Sequence, residues 1–384
     1  MSRRVVTRRE VAAEATDGDE AQGQIGTFSP LEPTSGRKSW APSRWHTDGV
    51  GIFPTALGHY DDVTRLFREH VLPGHLPPGP LLTESDTVIT LGSCFAQELR
   101  QVLEAARFSS SSFWIPSGLN NTFAILDFVS WCVRREGTSA AYRYERGADG
   151  EIREWTPEEE RERYRRYLDE AGAFVFTLGL AEVWCDRETG GVFWRGVPDH
   201  IFTEERHAFR LSTPAENSRN IRETIELVRS VNADAPIVLT LSPVPLQASF
   251  RDISCLTADC VSKSVLRVAL DEVMAEKPPG VYYWPSFELV KWVGPVLDWR
   301  AYEGDARHAN RYLVYCIVNA FVAAFYGPAL ADELRRRLRG TGFAVRPPHQ
   351  LRTRAAQARR LPRRIWARAQ RAPGKLRRLV GRPA

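Results

Sequence analysis

The sequence predicts a three-layer α/β domain built on a parallel central sheet. Two observations carry that expectation. Short apolar, β-branched or aromatic runs recur along the central part of the chain, each passing directly into a turn. Segments with helical spacing lie between them, and strands alternating with helices of this length are joined most simply by right-handed crossovers that cover both faces of the sheet.

The strands are expected at residues 88–91, 174–178, 237–241 and 281–284. The helices are expected at 96–106, 122–133, 157–168, 219–231, 260–274 and 309–325. Sheets of this kind hold their chemistry at the carboxyl ends of the strands. The residues that matter are therefore Gly92-Ser93-Cys94, Gly179-Leu180-Ala181-Glu182, Ser242-Pro243-Val244-Pro245 and Pro285-Ser286-Phe287-Glu288.

Composition bounds the possibilities. The chain has 384 residues, 43% hydrophobic and 26% charged, enough to bury a core without disulfide or metal support. Its 6 cysteines are scattered, with no C-x-x-C pair, which argues against a zinc ribbon or a disulfide framework. The first residues lack the apolar stretch of a secretory signal, and no run of apolar residues is long enough to span a bilayer. A cytoplasmic location is expected, with peripheral membrane attachment as the alternative.

Residues 1–45 mix Thr, Gly, Glu, Ser and Pro without periodicity and are read as a disordered segment, followed by a lead-in over 46–84 and a catalytic domain over 85–340. Residues 341–384 form a basic Arg/Pro-rich tail with no acidic residue. The net charge of +5 therefore conceals an acidic body. The tail suits a solvated segment or attachment to an anionic membrane surface, with Trp366 at the interface. Specific nucleic-acid binding is not expected, because no nucleic-acid-binding signature accompanies the charge.

Two motifs carry chemistry. In Thr87-Val-Ile-Thr-Leu-Gly92-Ser93-Cys94 a strand runs through glycine into a helix start. Ser93 would lie beside the free backbone N–H groups of that helix, which serve equally for capping and for an oxyanion. In Asp305-Ala-Arg-His308 the spacing lets a carboxylate orient an imidazole, which could then take the proton of Ser93. Cys94 is the rival nucleophile, and a serine cap and a surface Asp-His pair are the plain alternatives.

Together these motifs resemble the GSCFA family, spelled out at Gly92-Ser93-Cys94-Phe95-Ala96, within the wider SGNH or GDSL-like hydrolase superfamily. The resemblance continues through Phe176-Thr-Leu-Gly179-Leu-Ala-Glu182-Val-Trp184, Leu239-Thr-Leu-Ser-Pro-Val244, Ser262-Lys-Ser264, Pro285-Ser-Phe-Glu288 and Asp305-Ala-Arg-His308. It implies a flavodoxin-like three-layer SGNH-hydrolase fold in which Ser93, His308 and Asp305 are nucleophile, general base and orienting carboxylate. The superfamily block Gly-x-Asn-Asp is replaced here by Gly179-Leu-Ala181-Glu182, so its asparagine donor is missing. Gly118, Asn120 and Asn121 are candidate replacements for the oxyanion, with Gly179 and Glu182 as further substrate-binding candidates; Asn120 and Asn121 are equally candidates for capping the helix from Thr122.

The expected activity is a serine esterase or O-acyltransferase acting on an acyl ester, with acyl-carbohydrate or polysaccharide-related substrates favoured by superfamily analogy. No metal or organic cofactor is expected. The alternatives are a dormant carbohydrate-binding or scaffolding protein, and a membrane-associated lipid or thioester acyl hydrolase.

Overall fold

A computed structural model describes residues 53–54, 56–113, 119–137, 142–155 and 157–341. The expected disordered segment, Gly118 and all of the expected basic tail after Thr341 lie outside the described residues.

In chain order the strands are β1 (Val88–Gly92), β2 (Ser110–Ser112), β3 (Tyr144–Arg146), β4 (Ile152–Glu154), β5 (Ala173–Leu178), β6 (Glu182–Asp186), β7 (His207–Leu211), β8 (Ile237–Leu241) and β9 (Val281–Trp284). The principal helices are α1 (Cys94–Ala105), α2 (Thr122–Arg134), α3 (Arg161–Glu170), α4 (Pro214–Arg229), α5 (Cys255–Ala275), α6 (Arg311–Phe325) and α7 (Pro328–Leu338).

The expected parallel sheet is present, with five strands in the order β2-β1-β5-β8-β9. Numbered by their succession within this sheet the strands run 2-1-3-4-5, the flavodoxin-like order. The chain leaves β1 toward one side and returns to the other at β5, so a crevice opens between the carboxyl ends of these two strands. Ligands bind at such switch points.

Side-chain alternation explains the layers. In β5, Phe174, Phe176 and Leu178 join the core beneath α2, α4 and α5, whereas Ala173 and Val175 join the core beneath α1 and α6. Every residue of β5 is buried, as a central strand covered on both faces requires. Helix α6 is apolar nearly all round because it is enclosed by the sheet, by α7 and by the short helical turns near residues 57–71. Tyr60, Val63, Leu66, Phe67, Leu72 and Leu82 belong to that same core, so from Leu57 onward the segment read as a lead-in is part of this compact unit.

Three features escape the periodicity of the sequence. Strand β2 is a run of serines at the sheet edge, held by its backbone to Val88, Ile89 and Thr90. The chain between β5 and α4 forms an antiparallel hairpin, β6–β7. Glu182 therefore opens a strand. Helix α4 begins earlier than expected, because Thr213 and Glu216 form a capping box around Pro214.

Candidate active site

Gly92 is the last residue of β1 and has φ of +126°. A Cβ there would lie 2.1 Å from the carbonyl oxygen of Thr177 on β5, so only glycine lets the two strand ends approach this closely. The amide of Ser93 then donates to Thr177 O at 3.1 Å. Ser93 is the N-cap of α1, and its Oγ accepts from the amide of Phe95 at 3.3 Å. The amide of Cys94 opens the helix without an acceptor among the described residues.

The turn after β5 is fixed on every side. Gly179 N and Leu180 N donate to Asn120 O at 2.8 and 3.0 Å, and Ser242 N donates to Leu178 O at 2.8 Å. Ala181 N donates to Ser262 Oγ, and Ala181 O accepts from Ser212. The buried Lys263 ammonium donates to Gly179 O. Burial pulls that lysine down to about 8, against the opposing pull of Asp259.

A Cβ on Gly179 would stand 3.0 Å from Asn120 O and 3.5 Å from the Cβ of Ser93. The glycine thus brings Asn120 against the serine. Its own N–H and carbonyl are already engaged, so it shapes the crevice and has no amide to offer.

The two asparagines separate clearly. Asn121 caps α2, accepting from Ala124 N at 2.9 Å and donating to Trp194 O at 3.1 Å. The side chain of Asn120 makes no hydrogen bond to the described residues, and its Oδ1 is buried without a partner. Ala181 is fully buried in the core, and its side chain offers no donor. Glu182 is also buried, receives a hydrogen bond from Arg251 at 3.3 Å and leaves Oε2 without a partner. Trp184 makes edge contacts with Phe202, Phe209 and Phe250 at 5.0–5.5 Å between ring centroids.

Asp305 and His308 lie on a closed loop. Asp305 Oδ1 accepts from the amides of Arg307 and His308, both at 3.0 Å, and Oδ2 bonds His308 Nδ1. These donors, the Arg307 amide foremost, hold the carboxyl well below the usual carboxylate range. The carboxylate accordingly fixes the proton on Nδ1 and leaves Nε2 as the acceptor. Ala306 takes a left-handed φ of +57° to make this loop, a conformation that costs a non-glycine residue on the order of 1 kcal/mol.

The loop meets the sheet's carboxyl edge through Arg307, which donates to Pro245 O beyond β8 at 2.9 Å. On its other side it faces α1. Glu98 is half-buried there, with Oε2 lacking a partner, and is pushed up to about 7 by burial and by Glu303 and Asp305, with the His308 ring acting in the opposite direction. Glu98 follows Cys94 by one helical turn.

A cavity of about 410 Å³ opens in front of the serine, lined by Ser93, Cys94, Gln97, Arg100, Asn120 and Arg195 among others. Ser93 and Asn120 are thereby brought together, as are Asp305 and His308. No hydrogen bond joins Ser93 to His308 among the described residues, and His308 does not line this cavity. Cys94 is exposed and borders the same space, so adjacency to Ser93 does not turn it into the interior. Sequence reasoning passed over Glu98, Arg100 and Arg195. Each is an ordinary polar residue locally, and only the tertiary fold gives it a place at the site.

The family model described as the GSCFA family matches residues 87–321. The chain belongs to the GSCFA family. The matched span of this GSCFA protein opens at β1 and closes within α6, so it contains the whole parallel sheet with the Ser93 turn and the Asp305–His308 loop. No curated protein matches it in sequence. Among solved structures it is similar to a carbohydrate esterase family 3 protein from Talaromyces cellulolyticus, at 9% identity over 65% of this chain and 99% of that one, with a TM-score of 0.32. It is also similar to a GDP-L-fucose synthetase from Naegleria fowleri bound to NADP, at 8% identity over 55% of this chain and 52% of that one, with a TM-score of 0.23. Among the described residues no helix is long and apolar enough to cross a membrane.

Proposed function

We propose that the protein is a serine esterase or O-acyltransferase that works through an acyl-Ser93 intermediate on acyl-carbohydrate or polysaccharide-related substrates. The observation that carries this reading is the placement of a helix-capping serine at the sheet's switch point, beside a free asparagine amide, with a carboxylate-bound imidazole on a loop at the same carboxyl edge.

The hydroxyl of Ser93 attacks the ester carbonyl while His308 Nε2 takes its proton. Asp305 holds the ring and stabilises the imidazolium. The Cys94 amide and the Asn120 side chain offer hydrogen bonds to the oxyanion. Collapse of the tetrahedral intermediate breaks the ester C–O bond, and His308 returns the proton to the departing alcohol. Water or a sugar hydroxyl then attacks acyl-Ser93 by the reverse sequence, giving hydrolysis or transfer. The Ser93–His308 hydrogen bond forms with substrate in place, as catalytic hydrogen bonds are often long before binding.

Fluorophosphonate labelling tests the reading. Wild type and Cys94→Ala should be labelled, and Ser93→Ala and His308→Ala should not. Folded wild type that takes no label and turns over no ester would favour the dormant, carbohydrate-binding or scaffolding alternative, which the absence of a Ser93–His308 bond in the resting protein motivates. The basic tail is proposed to attach the protein to anionic membranes. Deletion of residues 346–384 should abolish sedimentation with anionic vesicles and leave turnover of soluble esters unchanged; persistence of sedimentation would remove the proposal.

A further inference from the structure

The cavity before Ser93 differs from its neighbours in charge. The cavity between α2 and α4 carries Asp127, Glu216, Glu223 and Glu226 beside its arginines, and the one beneath the 303–311 loop carries Glu98 and Glu303. At Ser93 two guanidinium groups, Arg100 and Arg195, line the wall and no carboxylate does so among the described residues.

Arg195 is unpaired among the described residues, and Arg100 is only partly paired. Arg195 is exposed and makes no ion pair or hydrogen bond to the described residues. Arg100 bonds Glu104 outside the cavity through one terminal nitrogen, while its Nε is buried without a partner. A buried donor left unpaired is costly, and the second terminal nitrogen of Arg100 makes no bond to the described residues. The two groups come from unrelated parts of the chain, α1 and the excursion beyond β6. They reach the cavity that holds the proposed nucleophile, and a guanidinium fork matches the paired oxygens of a carboxylate or phosphate.

We propose that Arg100 and Arg195 select an acyl ester whose alcohol portion carries an acidic group, a carboxylate or a phosphate, a few bonds from the ester. This rests on the acyl-serine reading above. The acid is the handle that sets the ester carbonyl over Ser93, and its oxygens take the place of solvent on both guanidinium groups. A neutral ester of the same size lacks that handle.

The test is equilibrium binding to full-length Ser93→Ala protein of three probes: O-acetylated methyl glucoside, O-acetylated glucuronate and O-acetylated glucose 6-phosphate. Protection of wild-type Ser93 from fluorophosphonate by the same compounds gives a second readout in unmutated protein. At least one acidic probe should bind tighter than the neutral one by about ten- to hundredfold, the worth of a charge-assisted hydrogen bond. Comparison of the two acids distinguishes carboxylate from phosphate. Arg195→Ala, at an exposed position, should erase most of the preference and Arg195→Lys should restore part of it. Equal binding of all three probes would overturn the inference, as would a preference that survives both Arg195→Ala and Arg100→Gln. A preference that holds while Ser93 takes no label and no ester turns over would instead retire the acyl-serine reading and leave an anionic-sugar site.

Discussion

Replacing Glu98 by glutamine should make the protein more stable in alkali and leave it unchanged in acid. Its carboxyl moves from an ordinary value of 4.5 to about 7, chiefly because the folded chain withdraws it from water. Between those two values the native state keeps a proton that the unfolded state has already released. The native state thus binds more protons, and stability falls as pH rises through this window. At 1.36 kcal/mol per pH unit the loss is on the order of 3 kcal/mol, and residual contact with solvent brings it to about 1–3 kcal/mol. Glutamine has the same shape and no proton to lose. Urea unfolding of wild type and Glu98→Gln between pH 4 and 8.5 should give curves that coincide below pH 4.5 and diverge up to pH 7, with the variant about 1–3 kcal/mol more stable at pH 8. A difference independent of pH, or a variant less stable at pH 8, would refute the reasoning, because a charged Glu98 would then be stabilised by its surroundings.

Lys263 should produce the opposite slope. Its folded value is lowered from 10.5 to about 8, so the unfolded chain binds more protons between these limits and stability rises there, by on the order of 3 kcal/mol; Lys263→Met should abolish that rise in alkaline unfolding curves. Gly92→Ala should cost about 2–4 kcal/mol and abolish Ser93 labelling, since its methyl would collide with Thr177 O and its φ is unfavourable; calorimetry showing wild-type stability would contradict the close approach of β1 and β5. Asn120→Ala should lower ester turnover by about 100- to 1,000-fold with little change in KM, and an unchanged kcat would remove its amide from the oxyanion site. Ala306→Gly should be neutral or stabilising by up to about 1 kcal/mol, because glycine adopts the left-handed turn without strain; a destabilised variant in urea unfolding would count against that turn.

Much of the sheet was legible in the sequence because β1, β5, β8 and β9 are buried on both faces and must be written as continuous apolar runs. The cap at Ser93 and the loop at Asp305–His308 were legible for a related reason: each is made by residues within three positions of one another. What was hidden depends on distance. Strand β2 is three serines, and only its hydrogen bonds to β1 make it a strand. Glu182 sits between a strand and a helical segment, and whether it continues as hairpin or helix is decided by pairing with Leu211. Asn120 and Asn121 look alike in sequence, yet Asn121 spends its side chain on a cap and Asn120 borders the cavity in front of Ser93. The value of Glu98 arises chiefly from its burial in the folded chain, with Glu303, Asp305 and His308 adding their effects from more than two hundred positions away.

The hairpin between β5 and α4 has a stem closed at Ala181, whose carbonyl accepts from both the amide and the hydroxyl of Ser212 and so ties the chain together where it leaves and rejoins the body. The excursion is anchored again at Trp194, which packs in the core beneath α2 and whose carbonyl accepts from Asn121. It is thus the exposed stretches, Arg195 among them, that can change in length and residues, each doubling of such a loop costing only about 0.6 kcal/mol. The surface beside the Ser93 cavity can therefore be altered at Arg195 and its exposed neighbours while the sheet and the turn at Ser93 stay as they are.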